Sequence, residues 1–216
     1  MLDLILPLEC GGCGAQSTRW CDECAVQLSV PSDKPHVVNP RVDPQVPVFA
    51  LGRYAGPRRQ VILAMKERGR GDLVAPLAGA LAIGMHRLVV WGMVETPLTI
   101  VPAPAGRRTS CRRGGDPVTR IARLAQMSLA ALPECRDIKV VQALRMKALA
   151  RDSMGLGTAA RERNIAGRVL LRGVRPRSEV VLVDDVVTTG ATARESVRVL
   201  QAAGVRVAAV LAIAAA

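Results

Sequence analysis

The sequence predicts an α/β fold in which a mainly parallel sheet is flanked by helices and preceded by a small cysteine-rich unit. Residues 98–101 and 180–183 are short, continuous apolar runs rich in β-branched residues, which is typical of strands buried on both faces of a parallel sheet. Helical apolar patterns separate such runs, and half of all residues are hydrophobic, although only 2% are aromatic. We therefore expect a core of valine, leucine, alanine and isoleucine.

The chain divides into three parts: a knuckle at residues 1–30, a linker at 31–47 with five prolines, and a main domain at 48–216. Within the main domain we expect, in order, a strand at 48–54, helices at 58–66 and 73–93, a strand at 98–101, a helix from Asp116-Pro117, a strand at 139–144, an edge strand at 168–171, a strand at 180–183, a helix at 193–203 and a closing strand at 205–213. Residues 145–163 form a basic loop without a clear period, which is typical of a lid over a charged substrate.

Four cysteines near the N-terminus have the spacing of a metal site. Cys10 and Cys13 form one CxxC motif, Cys21 and Cys24 form a second, and Gly11, Gly12 and Gly14 allow the tight turns of the first. Two such knuckles place four thiolates around one tetrahedral Zn²⁺, which we expect to be structural because no ligand position stays open. A disulfide pair and a thioredoxin-like redox motif are the weaker alternatives. Cys111 and Cys135 lack partner spacing, and we assign them no role.

The formal net charge of +12, with a pI near 10.6, points to polyanionic partners such as nucleotides, pyrophosphate or nucleic acid. An arginine-rich composition also arises from codon bias, so charge alone does not choose among them. The densest positive cluster follows the strand at 98–101 and contains Arg107, Arg108, Arg112 and Arg113. It is either a solvated face or a cradle for a pyrophosphate.

We expect a cytoplasmic protein without a membrane span. The first eight residues carry Asp3 rather than a basic region, so they do not resemble a secretion signal. The longest apolar segment, 73–94, contains His86 and Arg87 near its middle, which favours a buried helix over a membrane-spanning one.

The most informative stretch is 180–192, where an apolar strand is followed by two carboxylates, a Thr/Gly turn and a helix. Backbone N–H groups and the helix dipole converge on an anion in that geometry, and Gly190 allows a close approach. The carboxylates of Asp184 and Asp185 suit a vicinal diol, while Thr192 is placed to cap the helix. Phosphate and diol together indicate ribose 5-phosphate. The residues after the strand that we expect to bind it are Asp184, Asp185, Val186, Val187, Thr188, Thr189, Gly190, Ala191 and Thr192.

This stretch resembles the binding motif of the type I phosphoribosyltransferases for phosphoribosyl pyrophosphate. That motif has four apolar residues, two acids, a short variable stretch and Thr-Gly-x-Thr, and residues 180–192 match it at every defining position. An ordinary strand–helix turn with a capping threonine is the alternative. The match is much longer than a lone glycine motif, so we favour a phosphoribosyl site.

The whole chain resembles the ComF family. The resemblance rests on the four-cysteine knuckle, Tyr54-Ala55-Gly56, Met65-Lys66, Val101-Pro102-Ala103-Pro104, Arg113-Gly114, Arg161-x-x-Asn164 and the phosphoribosyl motif. It implies a type I phosphoribosyltransferase-like fold and, in some bacteria, a link to competence: DNA uptake and natural transformation. ComF proteins usually have Arg-Gly-Phe-Asn-Gln where this chain has Arg-Gly-Gly-Asp-Pro at 113–117.

The resemblance implies two alternative functions. In the first, phosphoribosyl pyrophosphate binds with Mg²⁺, its ribose hydroxyls on Asp184 and Asp185 as catalytic groups and its pyrophosphate near Arg107 and Arg108, and a nitrogen acceptor of unknown identity attacks C1. In the second, the chain is a non-catalytic accessory protein that holds single-stranded DNA or contacts competence-machinery proteins. Few aromatic residues are present to stack on bases, and Trp20 in the knuckle is the best-placed candidate.

Overall fold

A computed structural model describes residues 8–30, 35–104, 116–147, 165–173 and 175–216. The arginine cluster with Arg107 and Arg108, Cys111, and most of the expected lid at 145–163 lie outside the described residues.

The described residues form a three-layer arrangement of helices and strands. The helices are α1 (Asp22–Leu28), α2 (Gly56–Glu67), α3 (Val74–Val90), α4 (Pro117–Leu129) and α5 (Ala191–Ala202). The strands are β1 (His36–Val37), β2 (Val48–Ala50), β3 (Leu98–Pro102), β4 (Ile138–Val140), β5 (Leu144–Met146), β6 (Val169–Leu171), β7 (Glu179–Val187) and β8 (Val207–Ala215). Short 3₁₀ turns at Gly71–Leu73 and Pro133–Cys135 precede α3 and β4.

Six strands form one sheet in the order β1-β2-β8-β7-β3-β4. All neighbours in it are parallel except β1, which pairs with β2 in antiparallel register. The mainly parallel α/β sheet is therefore confirmed. Strands β5 and β6 form a separate antiparallel pair.

Several details differ from the sequence-based expectations. Strand β8 lies inside the sheet, between β2 and β7, rather than closing it at an edge. The segment expected as one strand at 139–144 is divided between β4 and β5. Strand β7 continues through both aspartates to Val187, because β8 offers it a pairing partner as far as Ala215.

The start of α5 was also predicted wrongly. The helix begins at Ala191, two residues before the predicted start at 193, and its N-cap residue is Gly190. Thr192 therefore lies inside the first turn and does not cap the helix. The helix expected from Asp116-Pro117 is α4, by contrast, and Asp116 caps it, since its carboxylate accepts from the Val118 N–H at 3.2 Å.

The sheet buries both of its faces, as the apolar runs predict. Val181 and Val183 face the core beneath α2, α3 and α4, whereas Val180 and Leu182 face the core beneath α5 and the β5–β6 pair. All four of these side chains are fully buried. Successive side chains of β7 thus point to opposite faces of the sheet, with α2, α3 and α4 packed on one face and α5 on the other.

Helix α3 explains the longest apolar segment. Residues Gly71–Val90 are apolar enough, over sufficient length, to cross a membrane, and no second such helix occurs in the described ranges. Leu77, Leu81 and Met85 are fully buried in the core instead. The described packing is that of a buried core helix, as the sequence favoured.

Gly84 sets how closely α3 approaches the sheet. A Cβ atom added to Gly84 would lie 2.2 Å from Cδ2 of Leu51, a core side chain that is itself 1% exposed and would have to shift. Gly79, in the same helix, has nothing within 4 Å of such an atom.

We expect Gly84→Ala to destabilise the protein by roughly 1–3 kcal/mol, because overpacking outweighs the gain in helix propensity. The matched variant Gly79→Ala should stabilise it by up to about 1 kcal/mol, since only propensity changes. Urea unfolding of both variants measures the difference. Equal effects of the two substitutions would show that α3 does not pack as closely as described.

Candidate functional site

The four N-terminal cysteines lie close enough together to bind one metal ion. Their sulfur atoms all lie within 4.8 Å of one another, and Cys21 Sγ is 3.6 Å from both Cys10 Sγ and Cys13 Sγ. Four sulfurs at about 2.3 Å from a tetrahedral Zn²⁺ stand roughly 3.8 Å apart. All four thiols are free, so the donor set and its spacing fit a metal such as zinc.

Electrostatics within this cluster also favour a cation. Burial acts to raise the pKa of Cys10, but hydrogen bonds from the backbone at Cys13, Cys21 and Gly12 outweigh it and lower the pKa to about 6. Burial and the neighbouring cysteines raise the pKa of Cys24. A bound divalent cation would offset both the burial and the mutual repulsion of the thiolates, and would hold all four cysteines in the thiolate form.

The cysteine cluster is fastened to the main domain by Arg70. Its guanidinium donates to the carbonyls of Glu9 at 3.1 Å and Arg19 at 3.3 Å, and it pairs with Asp72 at 2.7 Å. Its partners in the structure are the knuckle and Asp72.

We expect the purified protein to carry about one equivalent of a metal such as zinc, and Cys24→Ser to lose it because three thiolates remain. Cys135→Ser is the matched control, since Cys135 is also a buried free cysteine but lies outside the cluster. Elemental analysis of both variants gives the answer. Retention of the metal in Cys24→Ser, or its absence from the wild type, would contradict the assignment.

A second candidate site lies where the carboxyl ends of β7 and β3 meet. Helix α5 leads from β7 to β8 on one face, whereas α4 leads from β3 to β4 on the other face. Connections that leave neighbouring strands in opposite directions open a crevice at the carboxyl edge, which is where open α/β sheets bind ligands.

A cleft of about 280 Å³ occupies this position. Its lining residues are Ile165, Asp184, Val186, Val187, Thr188, Thr189, Gly190, Ala191, Thr192 and Ala193. Eight of the nine residues that the sequence assigned to the phosphoribosyl site, all but Asp185, thus line one cleft, together with the N-terminus of α5. The loop Thr188–Gly190 and the first turn of α5 present backbone N–H groups there, so the cleft suits an anion.

Gly190 needs the conformational freedom of glycine, for a reason the sequence did not show. Its φ is +86°, in the left-handed region. An added Cβ atom would lie about 2.4 Å from the carbonyl oxygen of Val42 and 2.7 Å from Cβ of Pro40. The close approach at Gly190 is therefore made by the proline-rich segment.

The two aspartates have different surroundings. Asp184 lines the cleft, whereas the buried carboxylate of Asp185 points toward α2 and forms an ion pair of 2.5 Å with Lys66 Nζ. Burial and the neighbouring charge of Asp185 raise the pKa of Asp184 well above its usual range, although Lys66 acts in the opposite direction. Lys66 is thus paired with the acidic residues at the end of β7.

A larger cleft, of about 410 Å³, lies at the amino ends of β3, β4 and β7. Lys139, Arg175 and Arg177 line it together with Asp137. It has neither a helix N-terminus nor a carboxylate at a strand's carboxyl end. We therefore place the candidate site at the opposite edge of the sheet.

Part of the Trp20 side chain is used in packing within the protein. It is half-buried and packs against the core that contains α2 and α3. The sequence had singled it out as the best aromatic contact for single-stranded DNA. Its described environment is instead that of a residue that attaches the knuckle to the domain.

The raised pKa of Asp184 predicts how stability depends on pH. The native state holds the proton of Asp184 above the pKa of an unfolded aspartate, about 4, so stability falls as pH rises from there through the raised pKa. We expect Asp184→Asn to be more stable than wild type at pH 7, by about 1 kcal/mol or roughly 2–4 °C in Tm, and the gain to shrink toward pH 4.

Asp137→Asn is the control, because Asp137 is exposed and far from the acidic pair. Thermal unfolding of the three proteins between pH 4 and pH 7 makes the comparison. A destabilised Asp184→Asn at pH 7 would show that the carboxylate is held by favourable contacts rather than crowded.

No protein-family model and no curated protein matches this chain. The assignment of a function therefore rests on the residues of the two sites and their geometry.

Proposed function

We propose that this chain is a ComF-like protein with a type I phosphoribosyltransferase-like domain that binds phosphoribosyl pyrophosphate with Mg²⁺. The observation that carries the proposal is the cleft at the carboxyl edge of the sheet. In it, an aspartate on a buried strand, a Thr-Thr-Gly turn and a helix N-terminus all face one space of about 280 Å³.

The 5-phosphate fits the turn and the first residues of α5. Thr188 is exposed, Thr189 and Thr192 are half-buried, and all three line the cleft, so their hydroxyls are available as donors. The twelve-residue helix α5 directs the positive end of its dipole at the same point. A phosphate dianion is stabilised by both.

The ribose hydroxyls fit the carboxylate of Asp184, which accepts hydrogen bonds from a diol. Asp185 does not line the cleft but contributes negative charge next to Asp184, and its carboxylate is held by the ion pair with Lys66. As the bond from C1 to the pyrophosphate oxygen breaks, positive charge develops on the ribose ring and these carboxylates stabilise it. The lone pair of a nitrogen acceptor then forms the new bond to C1, and pyrophosphate leaves.

Mg²⁺, when bound, neutralises part of the charge of the pyrophosphate leaving group. The carboxylate of Asp184 is the oxygen donor of the cleft that suits such a hard cation. We propose Arg107 and Arg108 as additional pyrophosphate contacts, because they follow the carboxyl end of β3, which pairs with β7 up to Val183.

We further propose that the metal of the cysteine cluster is Zn²⁺ and that its role is structural. Four thiolates leave no position for a substrate, and the cluster lies against Arg70 and Leu73 rather than against the cleft. Its function is then to hold the N-terminal segment on the domain.

Calorimetric titration with phosphoribosyl pyrophosphate and Mg²⁺ tests the proposed function. We expect Asp184→Asn to weaken binding by roughly tenfold to a hundredfold, because hydrogen bonds to a charged acceptor are lost. Asp137→Asn should bind like wild type. The Tm of Asp184→Asn reports that the variant is folded.

Two outcomes would overturn the proposal: absence of binding to the folded, metal-loaded wild type, or unchanged affinity in Asp184→Asn. Binding of single-stranded DNA that falls steeply with salt, in a protein that does not bind phosphoribosyl pyrophosphate, would favour the accessory DNA-binding function instead.

A further inference from the structure

The proline-rich segment at 40–45 lies directly against the phosphate loop of the cleft. We call residues Pro40 to Gln45 the strap. The Val42 N–H donates to the carbonyl of Thr189 at 2.8 Å, and Pro40 and Val42 fill the space that a side chain at Gly190 would need. The sequence predicted an irregular linker, whereas the structure shows a segment with defined contacts.

The strap has a fixed conformation of its own. The carboxylate of Asp43 accepts from both the backbone N–H and the side-chain amide of Gln45, each at 2.7 Å. These bonds hold Gln45 in the left-handed region, at φ +65°, and Pro44 is buried beneath them. An aspartate that bonds to the backbone two residues later is a common way to fix such a turn.

Arg194 ties the strap to the first turn of α5. Its guanidinium donates to the carbonyl of Asp43 at 2.8 Å. A cation at a helix N-terminus is disfavoured by the helix dipole, so its presence there needs a compensating contact. The strap supplies that contact.

From this geometry we infer that the strap is the positioning element of the anion-binding loop. The carbonyl and the N–H of one trans peptide point in opposite directions, so the bond from Val42 to the Thr189 carbonyl directs the Gly190 N–H away from the strap. A loop held in this orientation before ligand arrives binds more tightly, because less ordering is required on binding. The identity of the anion as the phosphate of phosphoribosyl pyrophosphate rests on the proposed function.

Asp43 offers a test that separates positioning from mere folding. Asp43→Ala removes both bonds to Gln45, whereas Asp43→Asn keeps an acceptor for the Gln45 N–H and retains the turn. We expect Asp43→Ala to weaken binding of phosphoribosyl pyrophosphate with Mg²⁺ by roughly three- to tenfold, and Asp43→Asn to restore it to within about twofold of wild type.

Arg194→Met and Arg198→Met form a second matched pair on the same helix. Arg198 pairs with Glu195 within α5 and does not contact the strap in the described structure. Arg194→Met should lose affinity for phosphoribosyl pyrophosphate as Asp43→Ala does, and Arg198→Met should not.

The double variant Asp43→Ala/Arg194→Met should bind phosphoribosyl pyrophosphate as tightly as the single variant with the lower affinity, because both substitutions act through one strap. Additive losses would mean that Arg194 touches the ligand itself, which would overturn the inference.

Amide hydrogen exchange of residues 188–193 provides a readout without ligand. Asp43→Ala and Arg194→Met should exchange these amides faster, while Asp43→Asn and Arg198→Met should match wild type. Unchanged exchange in the first two variants overturns the strap as a positioning element. If exchange changes as expected but the wild type does not bind phosphoribosyl pyrophosphate, the strap is retained and only the proposed function fails.

Discussion

The pairing of β7 with both of its neighbours is the constraint on which the rest of the molecule depends. Strand β7 is nine residues long, pairs with β8 to its end at Val187, and pairs with β3 as far as Val183. Because β3 stops earlier, the last residues of β7 extend past their neighbour on one side only. Asp184 emerges there into the cleft, while the apolar residues before it anchor both faces of the sheet.

Asp184 and Asp185 form an acidic pair whose electrostatic repulsion is unfavourable for folding. Two adjacent carboxylates on a buried strand repel each other, and the ion pair of Asp185 with Lys66 compensates one of them. Burial, together with the charge of Asp185, raises the pKa of Asp184. The Asp184 carboxylate accepts from the Asp185 N–H at 2.8 Å. An arrangement that lowers stability in the free protein is expected where a ligand supplies further partners, which for a carboxylate are hydroxyl groups or a cation.

The N-terminal part of the chain is more closely integrated than its composition suggests. Arg70 joins the cysteine cluster to the domain, Arg58 donates to the carbonyls of Gln27, Leu28 and Ser29 at the end of α1, and the strap bonds to the Thr188–Gly190 loop of the cleft. Burial lowers the pKa of Arg58, yet these three acceptors offset part of that cost. The knuckle and the segment after it thus pack against the domain through defined hydrogen bonds.

The sequence by itself determined the class of fold, the cysteine cluster and the position of the strand–turn–helix loop that lines the cleft, because each depends on local pattern: apolar runs, CxxC spacing and the order of strand, turn and helix. Only the tertiary structure decided which partners these elements meet. The interior place of β8, the ion pair of Asp185 with Lys66 and the contact of Val42 with Gly190 join residues far apart in the chain. Local propensity carries no information about such pairs, since sheet order and packing arise from the burial of the whole chain.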